Sequence, residues 1–255
     1  MPDTLLASSP ATFAPLRAVA FDLDGTLTDS APGICATMTA VLVEAGHPEP
    51  PVSDVRGMIG LPLADILLRH APGATLDDLH GLVTRYKAIY ATSVIPNTLL
   101  FPRAWSLLRA IRAAGLELAL VTAKTTDVAE AVLNRCRVRK LFGSVVGADR
   151  AGRPKPFPDL MQVALDELGV PANQTLLVGD GTHDVEMGRG AGARTCGVAW
   201  GVHEAERLTA AGADHVVHTM LELRGLILGA PAPLPGTLTG HDSAAGRAGT
   251  RSARS

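Results

Sequence analysis

The chain has 255 residues, 23 Lys+Arg against 25 Asp+Glu and a formal net charge of −2, so no overall basic field draws it to nucleic acid or an anionic membrane. Hydrophobic residues make up 47%, enough for a real core in one large domain or two smaller ones. Three widely separated cysteines (Cys35, Cys136, Cys196) without a CxxC pair argue against a disulfide scaffold or structural zinc site; with no membrane-length apolar run and no secretory leader, a cytoplasmic protein is expected.

Residues 1–15 are rich in Ala, Pro, Ser and Thr without periodicity and read as a flexible leader. A first buried strand is predicted over Ala18–Phe21, running straight into Asp22-Leu23-Asp24-Gly25-Thr26. From Ser30 to Ile95 only helical patterns follow. Asp29 or Ser30 can cap a helix carrying Ile34, Met38, Val41 and Leu42 and closed by Gly46, and Pro62–His70 and Thr75–Thr92 continue the pattern. Residues 29–97 therefore read as a helical module inserted after the first strand, where a cap over an active site belongs.

Strand and helix then alternate. Pro102 is placed at the first position of a helix with Trp105, Leu108 and Ile111 on its apolar face and Gly115 as its stop. Strands are predicted over Leu116–Val121 and Ser144–Val146. Pro158 opens a helix bearing Leu160, Val163, Ala164 and Leu168, with Gly169 beyond its end. Strands Thr175–Val178, Thr195–Val198 and His215–Val217 complete the set. The alternation predicts an α/β fold, a doubly wound, parallel Rossmann-like sheet formed by residues 16–28 and 98–229, with the helical cap inserted. Residues 230–255 hold no aromatic residue and are expected to form a disordered tail, its Arg247, Arg251 and Arg254 solvated.

Chemistry is expected at the carboxyl ends of the strands. Asp22 and Asp24 can face one pocket, and Gly25 allows a sharp turn that offers its N–H to an anion. The second strand ends at Thr122, followed by small Ala123. Lys155 lies in the proline-framed Arg153-Pro154-Lys155-Pro156, and the fourth strand runs into Asp180-Gly181-Thr182-His183-Asp184. Four aspartates, a lysine and a threonine at strand ends suit phosphoryl transfer assisted by magnesium. Hard oxygen ligands hold the ion, cationic and hydroxyl groups neutralise phosphoryl oxygens, and a carboxylate can attack phosphorus.

In order, FDLDGTLTDS, VTAKT, RPKPFPD and LVGDGTHDVEMGRGAG resemble the four motifs of the haloacid dehalogenase-like (HAD) hydrolase superfamily. The inserted cap resembles that of subfamily I, in its phosphoglycolate phosphatase-like branch, and the resemblance covers about residues 16–228. It implies that Asp22 is the nucleophile that becomes an aspartyl-phosphate. Asp24 would be acid to the leaving group and then base to water. Thr122 and backbone N–H groups near Gly25 and Ala123 would hold phosphoryl oxygens, and Lys155 would offset charge between Asp22 and the phosphate. Mg2+ would sit on the Asp22 carboxylate, the Asp24 carbonyl and Asp180, with Asp184 ordering its waters.

Isolated aspartates at strand ends also serve as helix caps, and Asp184 is the one to which that reading applies most. His183 is expected in an exposed loop and Cys196 in the core. In the cap, Arg56-Gly57-Met58-Ile59-Gly60 reads as a turn approaching the site, with Arg56 a candidate contact for an acidic substrate group; Arg85 and Lys87 are weaker candidates. Arg103 stands where the resemblance predicts Gly, and Phe157 is bulkier than the residue expected there. The expected activity is hydrolysis of a small phosphorylated metabolite, as a monomer or homodimer. A phosphomutase of the β-phosphoglucomutase type and a silent binding protein on the same fold are the alternatives. A haloacid dehalogenase is disfavoured by Asp24, because a halide leaving group needs no proton.

Overall fold

In the computed structural model, residues 15–229 are described; the expected leader before them and the expected tail after them lie outside the described residues. Six strands form one parallel sheet: β1 (Ala18–Phe21), β2 (Glu117–Val121), β3 (Ser144–Val146), β4 (Thr175–Gly179), β5 (Arg194–Val198) and β6 (His215–Val217). Their spatial order is β3-β2-β1-β4-β5-β6. Every residue of β1 and β4 is buried, as the centre of a sheet covered on both faces requires. The predicted strands are all present, with ends displaced by a residue or so.

The helices are α1 (Ala31–Glu44), α2 (Val52–Gly57), α3 (Leu63–His70), α4 (Leu76–Ile89), α5 (Ala104–Ala113), α6 (Thr126–Arg135), α7 (Asp159–Leu168), α8 (Thr182–Gly190), α9 (Ala205–Ala210) and α10 (Met220–Leu228). Alternation along the strands divides the core into two layers. Val19 and Phe21 share one with α5, α6 and α10, while Ala20 shares the other with α7 and α8. The insert α1–α4 has its own apolar cluster, built on Met38, Leu42, Leu67 and Tyr86, which Val128 and Val202 of the sheet domain meet. The two connections to the insert run side by side, with the Asp29 N–H on the Leu99 carbonyl at 3.1 Å and the Phe101 N–H on the Leu27 carbonyl at 2.9 Å.

The strand order reverses between β1 and β4, whose carboxyl ends therefore open a crevice. Asp22 follows one of these strands and Asp180 the other.

Three local expectations need correction. Helix α4 stops at Ile89 and the chain continues through a π-helical turn, Tyr90–Val94, and a 3-10 turn, Ile95–Asn97. Pro96 cannot continue an α-helical ladder. Of the stretch Arg56–Gly60 expected as a turn, Arg56 and Gly57 belong to the last turn of α2, and the turn itself is confined to Met58, Ile59 and Gly60. Pro102 does not begin α5, which starts at Ala104. Its buried face is Ala104, Leu107, Leu108 and Ile111, so Trp105 lies off that stripe, 47% exposed beneath the Arg109 guanidinium.

Arg103, before α5, has φ of 70°. That left-handed conformation strains any residue with a Cβ and accounts for the Gly expected there. Its side chain is exposed, so Arg103→Gly should stabilise the protein by up to about 1 kcal/mol after the entropy of glycine is counted. Thermal melts test this; a lower melting temperature would contradict it.

Candidate active site

Asp22, Lys155, Asp180 and Asp184 are each at most 2% exposed. The Lys155 ammonium bridges Asp22 Oδ1 at 2.7 Å and Asp184 Oδ1 at 2.6 Å. Carboxylate oxygens of Asp22, Asp180 and Asp184 all lie within 4.8 Å of one another. Asp180 is oriented by the Thr26 hydroxyl, which donates to Oδ1 at 2.8 Å, and by the Val202 N–H, which donates to Oδ2 at 2.7 Å. Asp184 also accepts the Gly181 N–H at 3.0 Å, so it caps α8 and faces the cluster at once.

Gly25 does a different job from the expected one. Its N–H donates to the Thr28 carbonyl at 2.9 Å, so that donor is already taken. Its φ is 75°, and a Cβ there would stand 2.1 Å from Asp180 Oδ2. The missing side chain lets the β1 turn pack directly on the β4 carboxylate.

Burial and the neighbouring carboxylates dominate the electrostatics. Burial, partly offset by Lys155 and reinforced by Asp184 and Asp24, pushes Asp22 up to about 7. Burial, with Asp22 and Asp184 nearby, holds Asp180 well above the usual carboxylate range. Burial acts on Asp184 in the same direction, but the Lys155 ammonium and the Gly181 N–H outweigh it and hold that group low. Three buried carboxylates face one ammonium, and the excess negative charge suits a hard cation held by oxygen. The donors fit a magnesium ion. Because metal and proton compete for Asp22, Mg2+ affinity should tighten as pH rises from about 6 to 8 and level off above. Calorimetric titration at stepped pH tests this; affinity independent of pH would contradict it.

Asp24 turns away from this cluster. Its Oδ1 accepts the Ser30 hydroxyl at 2.5 Å, and its Oδ2 pairs with Lys124 Nζ at 2.9 Å. Neither partner stands out as functional from sequence alone. Ser30 precedes α1 as expected but makes no side-chain cap bond, because its hydroxyl serves Asp24. Lys124 lies two residues beyond Thr122 in VTAKT, and that proximity to a strand end was the available signal. Its ammonium sits 4.2 Å from the Tyr90 ring centroid. Burial opposes its charge, but Asp24 and the tyrosines raise its pKa.

Asp24, Ala123 and Lys124 line a chamber of about 130 Å³ between sheet domain and insert. Its walls include Ile34, Ile59, Leu63, Ile66, Tyr86 and Val128. Thr122 is buried at the end of β2, and its hydroxyl oxygen accepts the Lys124 N–H at 3.3 Å. Arg56 does not line the chamber: its guanidinium donates to the carbonyl of Gly201 at 3.1 Å, a residue that packs against Asp180. Arg85 pairs with Glu44 at 3.0 Å, also away from the chamber, whereas Lys87 is exposed but does line it. His183 is buried rather than looped out. Gly60 and Gly181 leave room for its ring, since a Cβ at either would collide with it, and burial pulls its pKa down to about 4. Phe157 is 45% exposed, with the Arg153 guanidinium over its ring.

A family model described as haloacid dehalogenase-like hydrolase matches residues 19–198. A protein named "Probable phosphatase IndB" from Dickeya dadantii is 34% identical over 210 residues, 81% of this chain and 91% of that protein. A phosphoglycolate phosphatase from Caulobacter vibrioides is 32% identical over 226 residues, 86% of this chain and 95% of that one. Among solved structures, a haloacid dehalogenase-like family hydrolase from Streptococcus pneumoniae superposes with a TM-score of 0.74 at 27% identity, covering 83% of this chain and 98% of that one.

Proposed function

The chain belongs to the haloacid dehalogenase-like hydrolases, and from that premise we propose that it is a magnesium-dependent phosphatase that cleaves a small phosphomonoester through an aspartyl-phosphate on Asp22. One observation carries the reading: two carboxylates two residues apart face different ways. Asp22 joins the buried cluster with Lys155, Asp180 and Asp184, whereas Asp24 faces the chamber where a leaving group would lie.

In this reading Asp22 attacks phosphorus and the bond from phosphorus to the ester oxygen breaks. Asp24 gives its proton to the departing oxygen, then takes one from the water that attacks the phosphoryl group and frees Asp22. Lys155 offsets the charge that Asp22 and the phosphoryl group bring together, and Thr122 with the Ala123 N–H holds phosphoryl oxygens. The Asp22 and Asp180 carboxylates and the Asp24 carbonyl, with Asp184 behind them, would hold Mg2+, which when bound supplies positive charge to the phosphoryl oxygens. Ser30 and Lys124 position Asp24.

The insert serves as the cap. Phosphoglycolate, after which the Caulobacter relative is named, is one candidate substrate. The reading places the protein in a reducing cytosol, which suits its three free thiols, with a metabolite rather than a nucleic acid or membrane as partner. Among the described residues no helix is long and apolar enough to cross a membrane.

Phosphate release from a panel of small phosphomonoesters, with Mg2+ and with EDTA, tests the activity. Release that EDTA abolishes is expected. No release from any ester would contradict the proposal and turn attention to phosphoryl transfer without hydrolysis or to a silent binding role.

A further inference from the structure

The chamber over Asp24 has a chemical character that narrows the substrate. Most of its wall, from Ile34 and Ile59 through Leu63, Ile66 and Val128, is aliphatic, and Thr125 and the exposed Lys87 add polar groups. Lys124, the one buried cation in it, is already paired with Asp24. The Tyr90 hydroxyl is buried there beside the Lys124 ammonium, which can only donate to it, and its own O–H meets no acceptor among the described residues. A buried donor left unpaired inside apolar walls marks the place of a ligand's acceptor. The volume, about 130 Å³, is close to that of an apolar cavity of about 150 Å³ that holds benzene.

Resting on the phosphatase reading above, we propose that the leaving group is compact and mainly apolar, about the size of one six-membered ring, with a single acceptor that meets the Tyr90 hydroxyl. A sugar phosphate would set several hydroxyls against mostly aliphatic walls, where Thr125, Lys87 and the Asp24–Lys124 pair are the few polar side chains besides the tyrosines, and each hydroxyl left unpaired is a penalty in binding. A two-carbon carboxylate would leave most of the chamber unfilled and its apolar walls without contacts.

Three esters with the same ring and exocyclic methylene separate the possibilities: cyclohexylmethyl phosphate, (tetrahydropyran-2-yl)methyl phosphate and glucose 6-phosphate. They are to be compared by kcat/KM with Mg2+, beside phosphoglycolate. The first two should exceed glucose 6-phosphate by at least about 100-fold and phosphoglycolate by at least about tenfold. Tyr90→Phe, which keeps the ring beneath Lys124, should lower kcat/KM for the tetrahydropyranyl ester about fivefold or more relative to the cyclohexyl ester. Equal or faster hydrolysis of glucose 6-phosphate or phosphoglycolate would overturn this inference while leaving the phosphatase reading intact. An unchanged ratio in Tyr90→Phe would remove the anchor. Hydrolysis of none of these esters nor of the wider panel would overturn both.

Discussion

Asp22→Asn is expected to lower turnover by at least about 10⁴-fold while the protein remains folded. The amide is nearly isosteric but is a poor nucleophile, and Asp184, the other carboxylate that meets Lys155, is tied to the Gly181 N–H as the cap of α8. Stability should move in a defined direction. Asp22 has its folded-state pKa raised to about 7, above an unfolded value of about 3.9. Folding therefore favours its protonated form, and the metal-free wild type loses stability as pH rises through that window. The asparagine variant lacks this penalty, so in EDTA its melting temperature should gain on the wild type between about pH 5 and 8. Activity within tenfold of wild type would remove Asp22 as the nucleophile.

Lys155→Met should be the most destabilising single change in the site. The ammonium is fully buried between Asp22 and Asp184, and removing one partner of a buried ionic group costs about 3–5 kcal/mol. Three carboxylates would then face one another without a cation. The loss should be largest in EDTA at pH 8 and smaller at pH 5, where those carboxylates take up protons. Mg2+ should raise the melting temperature of the variant more than that of the wild type, because it restores positive charge. Turnover should fall by at least about 10³-fold. A variant as stable as wild type in EDTA at pH 8 would contradict the charge balance drawn for this cluster.

Local sequence carried most of the fold. Short apolar runs marked all six strands, and four of them, β1 to β4, run straight into Asp, Thr or Gly; the signal is clearest in β1 and β4, which are buried along their whole length. The four aspartates and Lys155 were legible for a related reason, since each follows a strand whose end is visible in the sequence.

What escaped were contacts made across the junction with the insert. Ser30 looked like a helix cap, and only the folded chain turns its hydroxyl to Asp24. The burial of His183 depends on Gly60, more than a hundred residues earlier. Arg56 is an exposed arginine in sequence, and its docking on Gly201 has no local signature. The Gly25 N–H looked free because its acceptor, Thr28, lies in a turn whose closure is conformational.

Rapid acid quench of the protein with a hydrolysed phosphomonoester and Mg2+, followed by peptide mass spectrometry, tests the central claim most directly. The account predicts one phosphoryl group on the peptide that contains Asp22, located to that residue, and none on the same peptide from Asp22→Asn. A substrate that turns over while Asp22 stays unmodified, or a phosphoryl group on any other residue, would contradict it.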